Sequence, residues 1–169
     1  IKHYLAMQIQ KNFLDPRVFT ELVDHFNDTR FPWYYPESAR VPEGEPCQYI
    51  NLLYYDNHFF MDVSPTLMRC LRILTDQLNA VALLKIKVNA TPSNAPEQVW
   101  HTDWQISTPS KTCVLYLNDN DGYTEFETGE KVVSQANTAV IFDTNLKHRG
   151  VPATNVDRRL VLNVSYFEA

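Results

Sequence analysis

A mainly β domain with a helical layer on its N-terminal side is the fold class this sequence predicts, and three observations predict it. From residue 81 onward, eight short apolar runs recur between turn residues, the pattern of a sandwich or barrel. Two amphipathic helices precede them, and helices placed ahead of a sheet cover one of its outer faces. The 169 residues are 44% hydrophobic and 21% charged, an ordinary globular composition that excludes a disordered tail or a coiled coil. An eight-stranded jelly roll (a double-stranded β-helix, cupin-like) with an N-terminal helical layer is the economical solution. It reads as a single domain over 1–169, with 1–80 as helical cover and lid and 81–169 as jelly-roll core.

The elements follow in order. Asp15-Pro16 is a helix start, because Asp caps free N–H groups and Pro suits the first helical position. Phe19, Leu22, Val23 and Phe26 then recur at helical spacing, giving a helix near 16–27. Ser64-Pro65 repeats the signal, and Leu67, Leu71, Leu74 and Leu78 put a second helix near 65–80. Between them, the Pro-rich stretch from Phe31 to Pro46 does not suit a helix. Its aromatics pack under a loop or line a ligand mouth, and packing is the simpler reading. Residues 47–55 read as a strand. The later runs are 82–90, 98–104, 111–118, 123–127, 131–134, 138–143, 147–152 and 158–167.

Charge and cysteine content bound the partners. The formal net charge of −5 disfavours nucleic acid, which calls for a basic excess. Cys47, Cys70 and Cys113 are odd in number and fit no zinc spacing, so reduced thiols in a cytoplasmic setting are expected. No apolar run approaches the roughly 18–20 residues that span a bilayer, and the first residues lack the charged-then-apolar layout of a signal peptide.

The chemistry sits in His101-Thr102-Asp103. On a strand, residues i and i+2 share a face, so an imidazole and a carboxylate project together. His148 lies 45 residues beyond Asp103, in a strand that a jelly roll can fold across from the first. Two His and one carboxylate on one side of a metal leave three positions open, the facial triad of non-haem Fe(II) oxygenases. Such a site retains positive charge and favours an anionic chelator. The last strand supplies a matching cation. Arg159, Val161, Asn163 and Ser165 share one face, while Arg158, Leu160, Leu162, Val164 and Tyr166 share the other. The apolar set packs against the helices. The polar set faces a ligand cavity, since a dry core penalises unpaired polar groups. Arg159 then points inward as a fork for a carboxylate, and Arg158 stands at the rim.

The stretches WHTDW, CVLYLND, DGYTEFETGE and AVIFDTNLKHRGVPATNVDRRLVLNVSYF resemble the Fe(II)/2-oxoglutarate-dependent dioxygenases. The closing segment is most similar to the phytanoyl-CoA dioxygenase-type branch, where an Arg follows the distal His by eleven residues, as Arg159 follows His148. TCVLYLN resembles the prolyl-hydroxylase branch. The resemblance covers roughly 82–167. It implies Fe(II) at His101, Asp103 and His148, and 2-oxoglutarate with its distal carboxylate on Arg159. It also implies a hydrogen bond from Tyr116 to that carboxylate, although a core tyrosine explains the same residue. Thr144 and Ser165 add hydroxyls near the co-substrate. The implied reaction uses O2, releases succinate and CO2, and hydroxylates a small molecule, amino acid or peptidyl residue at a mouth formed by residues 28–60. Asp103 argues against halogenation, which needs a small residue at that position. Trp100 and Trp104 read as packing groups, and Glu125, Glu127 and Glu130 as an exposed acidic hairpin. Two other readings use the same residues: a non-catalytic jelly-roll binding module with a structural or vestigial metal, and a cupin-like metal enzyme that does not use 2-oxoglutarate.

Overall fold

The computed structural model describes residues 7–35, 48–60, 63–103 and 106–169. Both helices begin as the sequence predicts. Helix α1 (Pro16–Asn27) is capped by Asp15, whose carboxylate accepts from the Arg17 N–H at 2.9 Å. Helix α2 (Pro65–Gln77) is capped by Ser64, whose hydroxyl oxygen accepts from the Leu67 N–H at 3.1 Å. α2 stops three residues earlier than the leucine spacing suggests. Asn79 takes a left-handed φ of 52°, which suits Asn and ends a helix, and the next strand begins at once.

Strands β1 (Gln8–Lys11), β2 (Tyr49–Tyr55), β3 (His58–Phe59), β4 (Ala80–Pro92), β5 (Lys111–Tyr116), β8 (Thr138–Asp143) and β10 (Arg158–Glu168) form an antiparallel sheet. Its order is β1-β8-β5-β10-β4-β2-β3. Strands β6 (Tyr123–Phe126), β7 (Lys131–Val133) and β9 (His148–Val151) form a second sheet in the order β7-β6-β9. The sequence reading missed β1 and β3. β3 is reached through Asp56-Asn57, both at positive φ, a two-residue hairpin turn without the usual glycine.

Two apolar layers result. The helices cover one face of the larger sheet, where Leu22, Phe26, Leu71, Leu74, Ile86, Val88, Leu115, Leu160, Leu162 and Val164 are buried. A smaller cluster of Val114, Tyr116, Phe126, Val140, Phe142 and Val161 fills part of the space between the sheets. Strand β10 pairs with β4 on one side and β5 on the other, so its two faces look into the two layers in alternation. No helix among the described residues is long and apolar enough to cross a membrane.

Three sequence expectations need correction. Residues 98–104 are not a regular strand. Among the described residues, the segment's backbone bonds to β9 are that of Gln98, whose N–H donates to the Gly150 carbonyl, and those of His101, which exchanges backbone bonds with His148. Side chains take over the ladder there: the Gly150 N–H donates to Gln98 Oε1 at 2.8 Å, and His101 Nδ1 takes the Val99 carbonyl at 2.9 Å. Trp100 is exposed rather than packed, with the Arg149 guanidinium 4.9 Å above its ring. In the acidic hairpin, Glu127 and Glu130 are exposed, but Glu125 is half-buried and paired with Arg149 at 2.7 Å and Lys131 at 3.3 Å. Cys47 and Trp104 lie outside the described residues; Cys70 and Cys113 are buried free thiols.

Candidate metal and oxoacid site

His101, Asp103 and His148 converge, with one ligand atom from each lying within 4.8 Å of the others. The i and i+2 argument reached residues that do converge, but by a strand that is not there. What brings them together is the single backbone bridge between His101 and His148, with their rings 4.7 Å apart. Each imidazole is oriented from behind. His101 Nδ1 lies 2.9 Å from the Val99 carbonyl and His148 Nδ1 lies 3.0 Å from the Leu146 carbonyl. A carbonyl only accepts, so both Nδ1 atoms carry a proton, and in the neutral imidazole each Nε2 presents a lone pair. Burial, reinforced by the neighbouring His148, pulls the His101 pKa below its ordinary value, which favours the neutral ligand form.

The donor set fits a divalent metal. Asp103 Oδ2 is buried without a hydrogen-bond partner among the described residues and lies 3.4 Å from His148 Nε2. A carboxylate oxygen facing an imidazole nitrogen calls for a cation between them, a proton or a metal ion. Burial alone would raise the Asp103 pKa, but His148, Lys85 and Lys87 outweigh it and hold the carboxyl well below the usual range. Asp103 therefore offers an ionised, acceptor-only oxygen that could serve a metal. Two imidazoles and one carboxylate are a donor set that suits ferrous iron.

Arg159 lies in the same cavity, 4% exposed. Its Nε donates to Ser134 Oγ at 2.8 Å and its Nη2 to Thr124 Oγ1 at 3.0 Å, while Nη1 has no hydrogen-bond acceptor among the described residues. No carboxylate among the described residues is within ion-pair reach of it. Burial lowers the Arg159 pKa, opposed only by Tyr116, whose ring lies 5.3 Å from the guanidinium carbon. A buried cation with neutral partners and a free N–H edge is unsatisfied until an anion reaches it. Two glycines make room. A Cβ on Gly122 would meet Arg159 Cδ at 2.7 Å, and one on Gly150 would meet Gln98 Oε1 at 2.8 Å.

The cavity, about 360 Å³ including its open mouth, is also lined by Gln48, Lys87, Asn89, Gln98, Thr124, Val161 and Asn163. Alternation along β10 holds: Arg159, Val161 and Asn163 face this space, and the apolar set faces the helices. Arg158 instead reaches Asn27 Oδ1 at 2.8 Å and stacks near Trp33, on the helix side. The Tyr116 hydroxyl bonds Thr124 Oγ1 at 2.8 Å and the Val132 carbonyl at 2.9 Å, and Tyr116 also interacts with the Arg159 guanidinium, whose carbon lies 5.3 Å from its ring. Thr144 and Ser165 do not line the cavity. Both hydrogen-bond Thr112, at 3.2 and 3.4 Å, in a buried hydroxyl cluster. Sequence reasoning missed Thr124, Ser134, Lys87 and Asn89. For the last two the signal was present: Lys85, Lys87, Asn89 and Thr91 alternate with Ile86, Val88 and Ala90, as polar and apolar residues do in β10.

Comparison with known proteins was made in sequence and in structure. No protein-family model and no curated protein sequence matches the chain. Solved structures do. A prolyl-4-hydroxylase from Pseudomonas putida is 16% identical and superposes with a TM-score of 0.70, over 99% of this chain and 94% of that one. A prolyl hydroxylase from Trichoplax adhaerens, bound to a peptide fragment of the hypoxia inducible factor oxygen degradation domain, is 16% identical with a TM-score of 0.66, over 96% and 83%. The non-haem α-ketoglutarate-dependent epimerase SnoN of nogalamycin biosynthesis is 15% identical with a TM-score of 0.69, over 96% and 78%. Another structure of that epimerase contains Fe3+ and α-ketoglutarate. The chain therefore has the jelly-roll fold of the iron- and 2-oxoglutarate-dependent oxygenases, the group its motifs resemble.

Proposed function

We propose that the chain is an Fe(II)- and 2-oxoglutarate-dependent dioxygenase that hydroxylates a small molecule, an amino acid or a peptidyl residue. The observation that carries this reading is a two-His-one-carboxylate donor set whose two imidazoles line the same cavity as a buried guanidinium with no acid partner among the described residues. In this reading His101, Asp103 and His148 hold the iron. Arg159 binds the distal carboxylate of 2-oxoglutarate through its unused Nη1 edge, with Ser134 and Thr124 fixing the rest of the fork. Tyr116 forms the wall under the guanidinium. Thr144 and Ser165 support the sheet behind the site and do not touch the co-substrate. Bound Fe(II), with O2, supplies the oxidative decarboxylation of 2-oxoglutarate to succinate and CO2 that is coupled to hydroxylation. The protein contributes ligand geometry, a largely dry pocket and the carboxylate anchor. Val99 and Trp100, exposed beside His101, offer apolar surface where a substrate approaches. The peptide bound to one structural relative and the nogalamycin compound bound to another bracket the substrate classes worth screening.

The test is succinate formation from 2-oxoglutarate with Fe(II) and O2, screened over prolyl peptides, free amino acids and small metabolites. Wild-type protein is expected to form succinate, and Asp103→Ala none. Equal yields from the two, or none from either, would count against the assignment.

A further inference from the structure

Each imidazole of the site is held from behind by a backbone carbonyl, and Asp103 needs a comparable support. It stands beyond the last backbone bridge of its segment, which ends at His101. Besides His148 of β9, which faces Oδ2, Lys85 of β4 reaches it. Lys85 Nζ donates to the Asp103 carbonyl at 3.2 Å and lies 4.0 Å from Oδ1, with both side chains largely buried (14% and 3% exposed). The opposite oxygen, Oδ2, is the one that faces His148. Lys85 is itself fixed, because its strand is paired on both sides: Lys85 stands opposite Ser165 of β10 and Tyr55 of β2.

We propose that Lys85 is the positioning residue of the metal site, and the proposal rests on the metal reading given above. The ammonium attracts Oδ1 and the main-chain carbonyl of Asp103. It thereby turns Oδ2 toward the two Nε2 atoms as a single-oxygen ligand. A carboxylate held at one oxygen leaves the other to the metal, and loss of such outer support typically weakens metal affinity 10–100-fold. The ammonium also offsets the carboxylate charge in the metal-free protein, so the site stays formed before loading.

The experiment measures Mn(II) binding to the full chain by electron paramagnetic resonance, with no co-substrate and no turnover. The proteins compared are wild type, Asp103→Ala, Lys85→Met, Lys85→Gln and Lys85→Arg. Lys85→Met is expected to raise the Mn(II) dissociation constant about 10–100-fold. Lys85→Gln keeps a donor for the carbonyl but no charge, and should fall between Lys85→Met and wild type. Lys85→Arg should restore most of the affinity. If Lys85→Met does not fold, the Gln and Arg variants carry the same comparison. Wild-type affinity in the Met or Gln variant, alongside a lower melting temperature, would make Lys85 a stabilising group only and overturn the proposal. Absence of Mn(II) binding in wild type, or binding that survives Asp103→Ala, would overturn the metal reading and this proposal with it.

Discussion

The two faces of β10 differ by one residue in register and by nearly everything else. Leu160, Leu162 and Val164 point to the helices, at most 2% exposed, in the larger apolar layer. Arg159, Val161 and Asn163 point into the space between the sheets, where Asn163 Oδ1 has no hydrogen-bond partner among the described residues and Arg159 no acid. Burial is similar on both faces, so burial alone does not separate core from site. Polar satisfaction does. Packed apolar groups on one face lower the free energy of folding, whereas buried and under-partnered polar groups on the other raise it unless a ligand completes them. Tyr166 is the exception on the helix side, since its buried hydroxyl has no hydrogen-bond partner among the described residues and burial pushes its pKa up.

That contrast can be broken or sharpened by substitution. The largest effect belongs to the metal donors. Asp103→Ala and His148→Ala should each abolish Mn(II) or Fe(II) binding, read by electron paramagnetic resonance or calorimetry, while the apo fold persists in circular dichroism. Next come neighbouring positions on opposite faces of β10. Leu162→Ala should cost about 2–5 kcal/mol of stability in denaturant unfolding, with little change in the 2-oxoglutarate affinity of the protein that remains folded. Arg159→Leu should do the reverse. It should lose about 2–5 kcal/mol of 2-oxoglutarate binding, as expected when one partner of a buried charge pair is removed, and leave apo stability equal or higher. Should Arg159→Leu unfold the protein and Leu162→Ala leave stability intact, the division between the faces would be wrong. The smallest effect belongs to the hydroxyl cluster. Ser165→Ala should cost about 1 kcal/mol of stability for a lost buried hydrogen bond, with no change in the 2-oxoglutarate dissociation constant.

Much of this was legible in the sequence where a local rule governs. Asp15-Pro16 and Ser64-Pro65 start helices because the capping chemistry is confined to three or four residues. The alternation of β10 reports its two environments because strand geometry is periodic. Arg159 could be named on that basis, whereas His101 and Asp103 rest on a strand pattern that the fold does not contain. What escaped depends on distant partners. The segment 98–104 reads as a strand, yet the Gln98 and His101 side chains take backbone groups that a ladder would use. Thr124 and Ser134 carry no mark of their role; only the folded second sheet brings them to the guanidinium. Tyr116 illustrates the middle case. Its place beside Arg159 followed from the motif, but the orientation of its hydroxyl toward Thr124 and Val132 did not.

The measurement that bears most directly on the cavity is calorimetric titration of 2-oxoglutarate into wild-type, Arg159→Leu and Asp103→Ala proteins, each with and without Mn(II). The expected result is metal-dependent binding in wild type, none in Asp103→Ala, and a large loss of affinity in Arg159→Leu with Mn(II) binding retained. Affinity for 2-oxoglutarate that is indifferent both to the metal and to Arg159 would contradict it.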